Sequence, residues 1–157
     1  MTKLLLSLHV LVAILAVGSI TVAASMFPRY ALQASDSGDP DGKAASIAAV
    51  LHKICRGYAV AGIAVPVFGL ATGAALGVLG DAWLIVSLVL TMGAGALLAL
   101  AVLPGQEDLL ALIEAPEGQD GARPLASRLT MLTGIFNVLW AVVTVLMIVR
   151  PGSTTSA

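Results

Sequence analysis

The sequence predicts an all-α, polytopic membrane protein, a bundle of four transmembrane helices in a single domain, 1–157. Three observations carry that prediction. The chain is 59% apolar and 11% charged, with a mean hydropathy of +1.00, whereas a soluble domain is about a quarter charged. Four stretches (4–26, 58–79, 83–103 and 129–149) contain no Asp, Glu, Lys or Arg, and each matches the roughly 20 residues that cross a hydrocarbon core. None alternates with period two, which argues against a β-barrel. Lipid offers no partner to backbone polar groups, so each span should be a helix.

The first span opens after Lys3 and closes on Phe27, Pro28, Arg29 and Tyr30. The aromatic pair and the arginine suit a headgroup anchor, and Pro28 should stop the regular helix one residue earlier. Lys3, the apolar run and the small residues Val22, Ala23 and Ala24 also fit a cleaved signal peptide. Such a peptide has an apolar region of only about 7 to 15 residues, so the anchor is favoured. Residues 33–42, rich in Asp, Ser, Gly and Pro, read as a flexible loop.

Beyond that loop, Ile47, Val50, Leu51, Ile54 and Tyr58 fall at helical spacing, with Lys53 and Arg56 off their stripe. This predicts an amphipathic start at the headgroups that extends the second helix to 44–79. Pro66 should kink it. The short Gly-Asp-Ala-Trp link at 80–83 demands a tight hairpin, with Trp83 at the interface. Residues 104–128 read as an acidic loop holding a short helix at 107–115, and 152–157 as a disordered end.

Loop 27–57 carries Arg29, Lys43, Lys53 and Arg56, and loop 104–128 carries Arg123 and Arg128, six of the eight basic residues. Both loops are therefore expected in the cytoplasm and both termini outside, in a plasma membrane. Cleavage of the first span would leave four basic residues outside, a second argument for an anchor.

Several chemistries drop out. Cys55 is the sole cysteine, which excludes an internal disulfide, a paired-cysteine metal site and a c-type haem attachment. A net charge of -1 with no basic stripe gives no footing for nucleic acid. With no acidic residue inside a span, a pump or secondary transporter is disfavoured.

His9 is the one histidine or charged-type residue inside a span, about two turns from its start, and such a residue is by default a functional candidate. The alternative is a neutral imidazole hydrogen-bonded to a serine, threonine or asparagine of a neighbouring helix. Ala13, Ala16 and Ile20 continue its face. His52 lies near the opposite membrane face, most of ~30 Å away, so no single iron or copper takes both. Asn137, Met92 and Met131 remain as second ligands to a metal at His9. His52, with Lys53 and Arg56, reads as a solvated or lipid-phosphate-facing edge, and Asn137 as interhelical glue. Gly69, Gly73 and Gly77 recur every fourth residue, which suits close helix packing within the bundle or in a homo- or hetero-oligomer.

The order of these residues resembles a family. The leucine-histidine that opens the first span and the proline-arginine that closes it are similar to the first helix of HemJ-type protoporphyrinogen oxidases. So are Arg56, Pro66 and Gly69 to their second helix, Trp83 to the start of their third, and Phe136-Asn137 to their fourth. CopD-type copper-resistance membrane domains share part of the pattern, as do small four-helix integral membrane proteins of actinobacterial type. The resemblance implies a porphyrin or haem b cleft, with His9, Arg29, Arg56 and Asn137 as its residues and His9 on any iron. Ser87 stands where the oxidases have a lysine and Val138 where they have a glutamate. The expected role is therefore a non-enzymatic accessory or porphyrin-associated protein. A membrane oxidoreductase acting on a porphyrin and a structural subunit of a larger complex are the alternatives.

Overall fold

In a computed structural model of the protein, which describes residues 1–115 and 119–152, the chain is all helix and turn. Among the described residues, four helical rods are long and apolar enough to cross a membrane. The first is α1 (Thr2–Ser37). The second joins α2 (Lys43–Ala61) to α3 (Ala64–Leu76). The third joins α4 (Ala82–Leu97), a π turn (Leu98–Val102) and α5 (Leu103–Glu114). The fourth is α6 (Gln119–Val149). Two ends result: a terminal end with Met1, the α3–α4 hairpin and Arg150, and a loop end with the other two connections. Parts of the predicted acidic loop (116–118) and tail (153–157) lie outside the described residues.

Packing follows lipid logic. Lipid is as apolar as leucine, so large side chains gain little by turning inward, whereas small ones let backbones approach. The buried positions of α2 are Ala45, Ala48, Leu51, His52 and Cys55. Those of α1 include Ala16, Ala23, Ala24, Phe27, Ala31 and Ala34. Large apolar side chains ring the outside of all four rods, among them Leu15, Val60, Val89 and Val145. A soluble protein could not carry that belt. This is a multi-pass membrane protein.

Several element ends differ from the prediction. Pro28 does not stop α1, which runs nine residues further to Ser37. Its ring costs one hydrogen bond, but Phe27, Ala31 and Ala34 are almost completely buried, and that packing holds the helix together. The helix closes at Gly38, at φ 62, so the flexible loop shrinks to the residues up to Gly42. The kink expected at Pro66 sits one turn earlier, at Gly62–Ile63. Pro66 cannot donate to the Gly62 carbonyl, which takes the Val65 N–H at 3.0 Å instead.

In the third rod Pro104 has no N–H for the Leu100 carbonyl, and the π turn precedes it. There the Leu103 N–H reaches the Leu98 carbonyl. The predicted short helix at 107–115 is thus the continuation of the third rod. The fourth rod starts at Gln119, ten residues ahead of the predicted 129, with Asp120 in its first turn. Arg123 donates to Asp36 at 3.1 Å, tying the loop ends of α1 and α6.

The three spaced glycines share a stripe but not a role. A Cβ on Gly69 would stand 3.0 Å from His9 Cε1, and one on Gly73 would stand 2.9 Å from Leu84 Cδ2. Gly77, at φ 71, is the left-handed cap of α3. Two therefore seat neighbours within the bundle and the third turns the hairpin.

Candidate functional site

His9 is held by the hairpin opposite it. Its Nδ1 lies 3.0 Å from the Val65 carbonyl oxygen. A carbonyl only accepts, so Nδ1 carries the proton, and in a neutral ring Nε2 keeps the lone pair. Nε2 has no hydrogen-bond partner among the described residues. Gly69 makes this possible, because any side chain there would meet the imidazole.

The ring borders a cavity of about 600 Å³ at the terminal end of the bundle, within the range of sites that bury a small ligand. Ala13, Ile14 and Val17 of α1 wall it on one side, Pro66 and Leu70 of α3 on another, and Val143 and Met147 of α6 on a third. It is almost wholly apolar. Its polar side chains are His9, Thr91, Thr144, Trp140 and, at the mouth, Arg150. Both threonine hydroxyls are spent on their own helices, Thr91 on the Ser87 carbonyl at 2.7 Å and Thr144 on the Trp140 carbonyl at 2.8 Å. Trp140 stands edge-on to Phe136, with ring centroids 6.2 Å apart.

No protein-family model matches the chain, and neither does any curated protein or solved structure. The site stands on its own geometry.

That geometry gathers only part of the predicted set. Arg29 lies twenty residues beyond His9 on α1, about 30 Å along the axis, and is exposed at the loop end. Arg56 is there too, with its guanidinium 4.0 Å from Glu107 Oε1. Histidine and proline-arginine thus mark opposite ends of one span and do not frame one cleft. Asn137 comes nearer, one turn below Trp140. Its Oδ1 is enclosed without a hydrogen-bond partner, as are Thr133 Oγ1 and Trp140 Nε1, so the expected interhelical bond is not made through that oxygen. Met92 and Met131 face outward, 62% and 59% exposed, and cannot serve as second ligands to His9. The sulfur in the lining belongs to Met147.

His52 is not the solvated edge the sequence predicts. It is 8% exposed, and its Nδ1 lies 3.0 Å from Gln106 Oε1. Gln106 in turn donates to Cys55 Sγ at 3.6 Å. The π turn sets the rotation of α5 beyond it, and Gln106 there faces α2. Of the positions where the resemblance expects charge, Ser87 is buried and donates to the Trp83 carbonyl at 2.7 Å, and Val138 is 63% exposed on the outer face. Neither reaches the cavity.

Sequence reasoning missed Arg150 and Trp140. Arg150 enters the sequence reading only as a charge at the terminal end and as the basic residue before proline that closes the fourth span in the resemblance, although a basic residue ending one span and Trp83 opening another at the same membrane face signal an interfacial pair. Trp140 carried no signal beyond its size.

Proposed function

We propose that the chain is a non-enzymatic accessory membrane protein, HemJ/CopD-like in arrangement, that holds a flat apolar ligand of the porphyrin class in the terminal-end cavity. The observation that carries the proposal is the imidazole of His9, pinned through Nδ1 with Nε2 left over beside an apolar space. Histidines that ligate metals donate their other ring N–H in this way, to a carboxylate or a backbone carbonyl. Haem b would fit these residues: His9 Nε2 would hold the iron, the apolar walls would exclude water, and Arg150 at the mouth would meet an acidic edge. Bound there, haem would supply redox or gas-binding chemistry at its iron. The chain's own part is to fix the imidazole, shield the face of the ring and keep bulk water out.

An oxidoreductase acting on a porphyrin is supported less well. Apart from His9, which the proposed ligand would occupy, the lining holds no Asp, Glu, Lys or Tyr to serve as the positioned acid or base that proton transfer needs. Haem b added to the detergent-solubilised protein should bind with a saturable shift of its Soret band, and His9→Ala should lose that shift.

The same proposal puts the cavity on the external side of a plasma membrane, supported by the six basic residues at the loop end. With Cys55 replaced by serine, a cysteine at Gly80 should react with a membrane-impermeant thiol reagent on intact cells and one at Asp39 should not. The reverse pattern would invert the orientation.

A further inference from the structure

Arg150 is the one charged side chain in the cavity lining, and three features set it apart. Its backbone sits at φ 45, the one non-glycine in the left-handed region among the described residues, a strained conformation that tends to persist where function requires it. Its guanidinium carbon lies 5.5 Å from the centre of the Trp83 ring, within cation–π range. None of the ion pairs among the described residues includes it. Asp81 spends a carboxylate oxygen on Trp83 Nε1 at 3.0 Å, which fixes the indole. Among the described residues the guanidinium is thus held in place without a carboxylate partner. Its Nε is engaged by the Met147 carbonyl at 3.4 Å, which leaves the terminal N–H groups as a two-pronged donor.

We propose that Arg150, seated on Trp83, clamps the oxyanion head of the cavity's apolar occupant. The proposal rests on the cavity being a ligand site and adds the chemical class of what enters: an apolar body carrying a carboxylate or a phosphate. Planar guanidinium recognises either group bidentately. The apolar body then lies along α6 from Arg150 toward Trp140, a run of ten residues or about 15 Å.

The two tryptophans of the chain report directly, since Trp140 lines the cavity and Trp83 lies under the clamp. Protein in phosphatidylcholine nanodiscs is titrated with metal-free protoporphyrin IX and with its dimethyl ester, reading tryptophan quenching. The acid should bind about tenfold tighter than the ester or better, as expected for a hydrogen bond to a charged group. Arg150→Gln should erase the difference, and Arg150→Lys should restore only part of it, because a point charge lacks the fork. Adding phosphatidylglycerol separates the sources. Narrowing of the gap in wild type, with no effect in Arg150→Gln, identifies a lipid phosphate as the head, and an unchanged gap identifies a free carboxylate. Equal, saturable quenching by acid and ester in wild type overturns the clamp while leaving the cavity as a ligand site. So does a gap that survives Arg150→Gln. Absence of saturable quenching by both overturns the cavity reading itself, and the clamp with it.

Discussion

Gly69→Val should lower the affinity for haem b by about ten- to a hundredfold, the usual cost of disturbing the group that orients a metal-binding histidine. The cause is steric. The first carbon of any side chain at Gly69 would stand 3.0 Å from His9 Cε1 and 3.4 Å from Nδ1, so the ring must swing away from the Val65 carbonyl. Helical circular dichroism should stay at the wild-type level. The variant should also melt earlier, since an imidazole N–H is left unsatisfied in an apolar place. In a His9→Ala background the obstructing ring is gone, and the same Gly69→Val change should cost much less stability. Equal cost in both backgrounds would mean that the glycine serves backbone packing and does not seat the imidazole.

Ala48→Leu should destabilise the bundle by about 3 kcal/mol, at the upper end of what overpacking costs. Ala48 and its neighbours Ala31 and Cys55 are fully buried at 0% exposure, which leaves no room for three added carbons. By contrast Val50, two residues on and 53% exposed, faces outward, and Val50→Ala should change stability by less than about 0.5 kcal/mol. Unfolding in mixed micelles or by steric trapping measures both. If Val50→Ala proves the costlier change, the small-residue face is not the packing face and the rotation of α2 assigned here is wrong.

That rotation explains why parts of the molecule were legible in the sequence and others were not. The spans were legible, because roughly twenty residues without charge have few uses other than crossing lipid. The faces were harder. A stripe of Ile47, Val50, Leu51, Ile54 and Tyr58 looks like a core under the rule for soluble helices. In lipid the small residues Ala45, Ala48 and Cys55 take the inside together with Leu51 of that stripe, and His52 comes in with them, while Ile47, Ile54 and Tyr58 are only partly buried against the core and Val50 faces outward. Helix ends were harder still. Polar residues such as Gln33, Asp36 and Arg123 announce a loop, yet they continue helices beyond the membrane where Arg123 meets Asp36 and Leu109, Ala122 and Ala126 are buried. Of the site, His9 was visible as the lone histidine in a span. Its acceptor was not, because a backbone carbonyl 56 residues away leaves no trace in side-chain identity. Arg29 and Arg56 stand out through their resemblance to a family pattern, whereas the arginine that lines the cavity is Arg150.

A single absorbance titration bears most directly on the claim that His9 and the terminal-end cavity form a ligand site. Haem b is added to detergent-solubilised wild type, His9→Ala and His52→Ala, with thermal melting followed on the same samples. The expected result is one haem per chain in wild type and in His52→Ala, whose imidazole is committed to Gln106 at the far end of the bundle, and none in His9→Ala. The contradicting result is no saturable Soret shift in wild type, with His9→Ala merely melting a few degrees lower. In that case His9 is interhelical glue worth about 1 to 2 kcal/mol, and the cofactor proposal falls.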